Sequence, residues 1–211
     1  RWFSGSDLGS TTSLTCVGLL SRQWHKGAES TYYWKPFFFL PKDGIEKLEH
    51  DDNLPYRELA EQGWITLTDL DAVDFAFVTQ RIFDLNRLVP VVENAYDKWA
   101  ALPLIQELQT RHGLQMIEIP QLIQHLTTPS KELDRLIRMR QIVHDGNPIM
   151  TDHITRVRAY TDPAGNIRPV KGGPGRKPVK IDGVISLVNA LARALVANAP
   201  PGYASLGISG L

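Results

Sequence analysis

The sequence predicts an α/β fold, a mixed β-sheet with helices on both faces. Three observations predict it. β-Rich stretches crowd residues 3–41 and can form an antiparallel meander. Further along, strand-like and helix-like stretches alternate, which asks for parallel strands joined by crossover helices. The last helical stretch, Ile181–Leu195, is apolar nearly all round, so it belongs against a sheet.

The first strand begins at Phe3 and meets a small, polar turn, Asp7-Leu8-Gly9-Ser10-Thr11-Thr12. The second runs through Ser13-Leu14-Thr15-Cys16-Val17-Gly18-Leu19-Leu20, β-branched and apolar as a buried strand should be. Asp7 is the odd residue here. A carboxylate at the end of a core strand costs free energy unless it is paired, holds a cation or caps the turn. Thr31–Pro41 is an aromatic third strand that packs a core, and Pro36, which has no N–H for a ladder, predicts an edge position. Residues 43–62 are charged and loosely helical, closing at Gly63, and Trp64–Thr68 is a short strand.

Asp74 reads as the cap of a helix to about Leu88, with Phe75, Val78, Ile82 and Leu85 at helical spacing. Asp69 and Asp71 beside it fit a solvated helix start. Pro90–Asp97 is a strand ending in an acid. With the helix from about Ala101 to His112, the C-cap Gly113 and the strand Leu114–Ile119 it makes a βαβ unit. Pro129–Arg140 is a further helix, Leu133, Leu136 and Ile137 inward and Arg135, Arg138 and Arg140 outward. Asn147 and Pro148 suit the N-cap and first position of the next helix. Residues 157–170 read as a hairpin around Asp162-Pro163-Ala164-Gly165-Asn166, and Lys171–Pro178 as a mobile Gly/Pro/Lys-rich loop. The division expected is a single domain over residues 1–198 and a flexible Pro/Gly/Ser-rich tail over 199–211.

Composition narrows the function classes. The chain of 211 residues is 43% hydrophobic and 22% charged, ordinary for a globular protein, and no apolar run approaches the ~18 residues of a membrane span. A start without Met, directly in a strand, predicts a piece of a longer protein with no signal peptide. The lone Cys16 excludes an internal disulfide and a Cys-based zinc site and reads as a small core residue. That suits a reducing cytoplasm. Basic and acidic side chains balance at 23 each, so any nucleic-acid affinity must come from a local patch. Such a patch exists in Arg156, Arg158, Arg168, Lys171, Arg176, Lys177 and Lys180, opposed between positions 156 and 180 only by Asp162. A solvated face is the bland reading. Its run into Asp182 favours contact with a DNA backbone.

In the ribonuclease H-like version of this architecture the first strand lies beside the fourth core strand, here the one ending in Asp97. The ends of both meet the start of the last helix, so Asp7, Asp97 and Asp182 converge. Three carboxylates so placed repel one another, and a divalent cation relieves that. Hard cations such as Mg²⁺ or Mn²⁺ take oxygen ligands, and two such ions about 4 Å apart stabilise both oxygens of an in-line phosphodiester displacement.

These residues resemble the nuclease domain of the large terminase subunit of tailed bacteriophages. The matching pieces are Gly5-Ser6-Asp7-Leu8-Gly9-Ser10 with Leu14-Thr15, Pro36-Phe37-Phe38-Phe39-Leu40-Pro41, Pro55-Tyr56, Gln62-Gly63, Val73-Asp74-Phe75, Tyr96-Asp97-Lys98-Trp99, His144-Asp145-Gly146-Asn147-Pro148 and Lys180-Ile181-Asp182-Gly183-Val184. They stand in the family's order along nearly the whole chain. The resemblance implies a ribonuclease H-like fold and metal-dependent endonucleolytic cleavage of double-stranded concatemeric viral DNA. Carried over by position, Asp7, Asp97 and Asp182 would be the catalytic, metal-binding acids; the basic run, not the resemblance, offers Arg158, Arg168, Lys171, Arg176, Lys177 and Lys180 as the DNA contacts. The resemblance further implies two Mg²⁺ or Mn²⁺ ions and an ATPase motor domain of the same full-length protein. A small terminase subunit and a portal would be partners, in the cytoplasm of an infected or lysogenic bacterium, with no membrane involved.

Two departures stand out. No Gly-x-x-x-x-Gly-Lys-[Ser/Thr] is present, so this piece is expected to cut DNA and not to pump it. Thr151-Asp152-His153 stands where a Trp is expected after the His-Asp-Gly-Asn-Pro turn. His144 reads either as a phosphate contact or, more simply, as a turn histidine bonded to backbone. Two other functions remain open. Asp7-Leu8-Gly9-Ser10-Thr11-Thr12 also resembles a phosphate loop of actin-like ATPases and sugar kinases, though no second phosphate loop follows. A non-catalytic domain docking on portal or motor would leave the acids without a purpose.

Overall fold

The computed structural model describes residues 1–9, 14–23, 30–69, 74–97, 102–172 and 178–197. The expectations for the turn at 10–13, Asp71 and Val73, Lys98 and Trp99, Arg176 and Lys177, and the tail 199–211 lie outside them.

β1 (Trp2–Asp7), β2 (Thr15–Gln23) and β3 (Thr31–Pro41) form the antiparallel meander, with Asp7 opposite Cys16 and Cys16 opposite Phe38. α1 (Ile45–Asp52) and α2 (Tyr56–Glu61) follow as two helices where one loose stretch was expected. β4 (Ile65–Thr68) pairs parallel with β3. α3 (Phe75–Leu88) starts at Asp74, whose carboxylate accepts from the N–H groups of Ala76 and Phe77, as its position in the sequence predicts. β5 (Val91–Tyr96), α4 (Leu102–Thr110) and β6 (Met116–Glu118) make the expected βαβ unit. α5 (Ile123–Arg138), β7 (Ile142–His144), α6 (Pro148–Arg156), the hairpin of β8 (Arg158–Thr161) with β9 (Ile167–Val170), and α7 (Asp182–Val196) complete the order.

The main sheet runs β4-β3-β2-β1-β5-β6, with β7 also on β3. β1 and β5 are parallel neighbours, Gly5 beside Ala95. Alternation along the strands splits the core into two layers. Phe3, Cys16, Leu20, Trp34 and Phe38 face α1, α2, α5, α6 and α7; Val17, Leu19 and Phe39 face α3 and α4. The aromatic third strand therefore packs a core, as expected, and Cys16 is buried. α7 is buried along Asp182–Leu191, and each Leu or Val fully covered there contributes on the order of 1.5–3 kcal/mol.

Three expectations need correction. β3 is an interior strand, despite Pro36. Tyr32 donates its N–H to Gln141 on the β7 side, and alternation turns the Pro36 nitrogen the same way. There β7 ends opposite Trp34 and β4 starts opposite Phe38, so the proline sits in the gap between two short strands. α5 begins at Ile123, well before Pro129, which lies inside it. Burial of Leu126, Leu133 and Leu136 on either side outweighs the lost N–H of the proline. Ile137, expected inward, is exposed, because α5 seats the stripe of Leu126, Pro129, Leu133 and Leu136 and Ile137 falls beside it. β7 itself was not foreseen; three residues after a helix are too few for period-two alternation to register.

Candidate active site

Gly5 is what lets the sheet and α7 meet. A Cβ there would stand 2.0 Å from the Ser186 carbonyl oxygen and 2.7 Å from the Ala190 nitrogen, so only glycine permits this approach. Polar bonds then fix the contact. Ser186 Oγ donates to the Gly5 carbonyl at 2.7 Å, Asn189 Nδ2 to the Ser6 carbonyl at 3.0 Å, and Ser6 Oγ to the Ala95 carbonyl at 3.2 Å. Buried Ser6, Ser186 and Asn189, which look out of place in apolar elements, tie β1, β5 and α7 into one unit.

This unit carries the acids. Asp7 ends β1 on the α7 face, opposite Cys16. Asp97 follows β5 two residues beyond Ala95, also on that face by alternation. Asp182 is the first residue of α7. All three are buried, Asp182 at 2% exposure. Burial pushes the Asp7 carboxyl well above the usual carboxylate range, and the charges of Asp182 and then Asp97 push it further; Lys171 and Lys180 pull against them. Burial likewise raises Asp182, against the pull of Lys171, Lys180 and its own backbone amide. Asp182 Oδ2 has no hydrogen-bond partner among the described residues.

The acids thus share a corner and a field. They are not closed into a chelate: among the described residues no group of three His, Cys, Asp or Glu is arranged to hold a metal ion. The donor chemistry itself suits a hard divalent cation, with oxygen-only groups, mutual repulsion to relieve, and a buried carboxylate oxygen with nothing bound to it.

The basic residues divide. Lys171 and Lys180 flank the acids, drawn together by the bond from the Val179 N–H to the Lys171 carbonyl at 2.7 Å. Arg158 lies on the exposed β8 and Arg168 on β9, where it stacks over Tyr160 with 5.9 Å to the ring centroid. Bonds between Thr127 and Ile167 hold this hairpin to α5. Arg156 serves structure instead. It pairs with Asp152 at 2.8 Å and donates to the Asp52 carbonyl at 3.0 Å, tying α6 to α1. His144 is a turn histidine, its Nδ1 accepting the Gly146 N–H at 3.1 Å. It sits on β7, across β3 from the acids.

A polar layer behind Asp182 went unforeseen. The buried Tyr56 hydroxyl donates to Asp52 Oδ2 at 3.0 Å, and burial with that carboxylate holds the phenol far above its ordinary range. His153, at 0% exposure, accepts the Gly183 N–H on Nδ1 at 3.1 Å and meets Phe38 edge to face. Burial, then Lys180, Arg156 and Lys171, push its pKa down to about 3. A signal for it existed: Ile149, Met150 and His153 share one face of α6 at helical spacing.

With fold and site in view, comparison with known proteins gives the family. The chain belongs to the family of the terminase large subunit, endonuclease domain, which it matches over residues 2–198. It is 29% identical over 194 residues to protein YmfN of Escherichia coli (strain K12), covering 90% of this chain and 42% of that protein. The crystal structure of the HK97 bacteriophage large terminase superposes with a TM-score of 0.80 at 21% identity, over 92% of this chain and 39% of that one. That of the large terminase nuclease from thermophilic phage G20c with bound magnesium gives 0.52 at 14% identity, over 91% and 80%. The chain thus spans about two fifths of the length of YmfN and of the HK97 protein. The mixed sheet with helices on both faces expected from the sequence is the fold found, and it is shared with the HK97 large terminase over this stretch.

Proposed function

We propose that this chain is a divalent-metal-dependent endodeoxyribonuclease that cleaves double-stranded viral DNA during genome packaging, with Asp7, Asp97 and Asp182 as its catalytic acids. The observation that carries the reading is the gathering of three buried carboxylates at one corner, where Asp7 feels both of the others. Membership of the terminase endonuclease family supports it, and the G20c nuclease solved with bound magnesium supports Mg²⁺ or Mn²⁺ as the ions. The family match over residues 2–198 leaves the actin-like ATPase reading without support.

The roles follow from position. Asp7, Asp97 and Asp182 would hold two ions between the ends of β1 and β5 and the start of α7. Bound cations would supply stabilisation of the attacking and leaving oxygens in an in-line displacement. Lys171 and Lys180, now opposed to the carboxylates, would turn to the DNA phosphates once that negative charge is neutralised. Arg158 and Arg168 on the hairpin would hold the backbone further out, with Arg176 and Lys177 completing the track. An ATPase motor domain of the same full-length protein, a small terminase subunit and a portal are the partners this reading proposes, in the cytoplasm of the bacterial host. Among the described residues no helix is long and apolar enough to cross a membrane.

The test is supercoiled plasmid incubated with Mn²⁺, Mg²⁺, Ca²⁺ or chelator, without ATP. Cutting is expected with Mn²⁺ and Mg²⁺. Little is expected with Ca²⁺, whose looser coordination misplaces the reacting oxygens, and none in Asp97→Ala. Cutting that survives chelator, or persists in Asp97→Ala, would overturn the reading.

A further inference from the structure

We propose that His153 is a positioning residue for Asp182, a cap supplied to α7 from a neighbouring helix; this rests on the reading of Asp182 as a metal-binding acid. A helix start leaves its first N–H groups without partners, and a side chain just before it normally satisfies one of them. Ile181 stands at that place in α7 and makes no side-chain cap. Asp182 is the first residue of the helix, and His153 of α6 takes the next N–H, that of Gly183, at 3.1 Å. The ring cannot wander. It is fully buried and set edge-on against Phe38 of β3, with 5.5 Å between centroids and planes at 88°.

The glycine beside Asp182 completes the device. A Cβ on Gly183 would come within 2.7 Å of Met150 Sδ, 2.9 Å of Phe38 Cζ and 3.2 Å of His153 Nδ1, so the missing side chain is what admits the imidazole. Because Nδ1 accepts, the proton of the neutral ring is on Nε2. The chain of contact runs from β3 through the ring to the first turn of α7, and so to the direction in which Asp182 presents its unbonded Oδ2. Groups that orient a ligand side chain without touching the ion commonly alter metal affinity by roughly tenfold or more.

The test compares Mn²⁺ binding by calorimetry in the full chain and three variants. Asn Oδ1 can replace Nδ1 as acceptor, Gln puts its oxygen one bond further out, and Leu offers none. His153→Asn is expected to bind within about threefold of the parent and His153→Leu and His153→Gln roughly tenfold more weakly. A ¹⁵N–¹⁵N coupling across the hydrogen bond between Gly183 N and His153 Nδ1 is expected in the metal-free parent. Unchanged affinity in a folded His153→Leu, or equal loss in Asn and Gln, would overturn the proposal; the Asn–Gln pair decides should Leu fail to fold. A parent that binds no Mn²⁺ would instead sink the functional reading, and the coupling would still test the cap.

Discussion

Replacing Gly5 by alanine tests the seat of α7. The added Cβ would meet the Ser186 carbonyl oxygen at 2.0 Å, where carbon and oxygen normally keep about 3.3 Å or more. Its neighbours are helix backbone and cannot turn aside, so α7 must retreat by over ~1 Å. Overpacking of this kind costs about 1–3 kcal/mol. The retreat also stretches the bonds from Ser186 Oγ to the Gly5 carbonyl and from Asn189 Nδ2 to the Ser6 carbonyl, each contributing about 1 kcal/mol. Removing a strand glycine returns somewhat under ~1 kcal/mol, which leaves a net loss of about 3 kcal/mol. At this chain length that lowers Tm by roughly 6–12 °C. Thermal unfolding in chelator, followed by tryptophan fluorescence, measures it. Gly183→Ala is the control. Its Cβ would meet side chains, Met150, Phe38 and His153, of which Met150 is flexible, rather than helix backbone, and the loss should be smaller. A Gly5→Ala Tm within ~2 °C of the parent, or below that of Gly183→Ala by nothing measurable, would refute the argument.

Asp7→Asn should raise the Tm of the metal-free chain at neutral pH. The folded carboxyl titrates above its ordinary value of 3.8, so above that pH the native state holds more protons than the unfolded one and stability falls as pH rises through the window. The gain from Asn should therefore shrink as the pH is lowered toward about 4, and a gain that grows on acidification would contradict it. Arg158→Glu with Arg168→Glu should weaken DNA binding alike on all sequences and flatten the log–log salt slope by about two; an unchanged slope moves the DNA track off the hairpin. Asn147→Ala removes the α6 cap, made to the Ile149 and Met150 N–H groups, and the bond from Nδ2 to the Trp64 carbonyl. It should cost about 2 kcal/mol in urea unfolding, and a loss below ~0.5 kcal/mol would show the cap to be replaceable.

Features written in local chemistry were legible. Asp74 and Asn147 announce helix starts because capping needs particular side chains at particular offsets, and both caps are found. The hairpin at 158–170 follows from its Asp-Pro-Ala-Gly-Asn turn, closed by Asp162 accepting from Asn166. Features decided by tertiary contact were not. Pro36 has the same chemistry on an edge and in a gap between two short strands, and only the ends of β4 and β7 distinguish them. Arg156 looks like any member of a basic run until Asp152 and Asp52 are seen to occupy it. Element order was enough to put Asp7, Asp97 and Asp182 at one corner. Their spacing depends on side-chain packing and mutual repulsion, which no single stretch of sequence encodes.

The dependence of β1 on α7 has a consequence for how the protein is born. A ribosome makes the meander first and α7 last among the described elements. Until residues 182–196 emerge, β1 and β2, with Phe3, Cys16 and Leu20, lack the helix that packs directly on them, and the bonds from Ser186 and Asn189 back to Gly5 and Ser6 cannot form. Contacts spanning nearly the whole chain make closure late, and the uncovered meander is the stage most exposed to aggregation. On the proposed function the acid corner would then be complete only once α7 has formed, so a chain cut short before residue 182 is expected to be inactive.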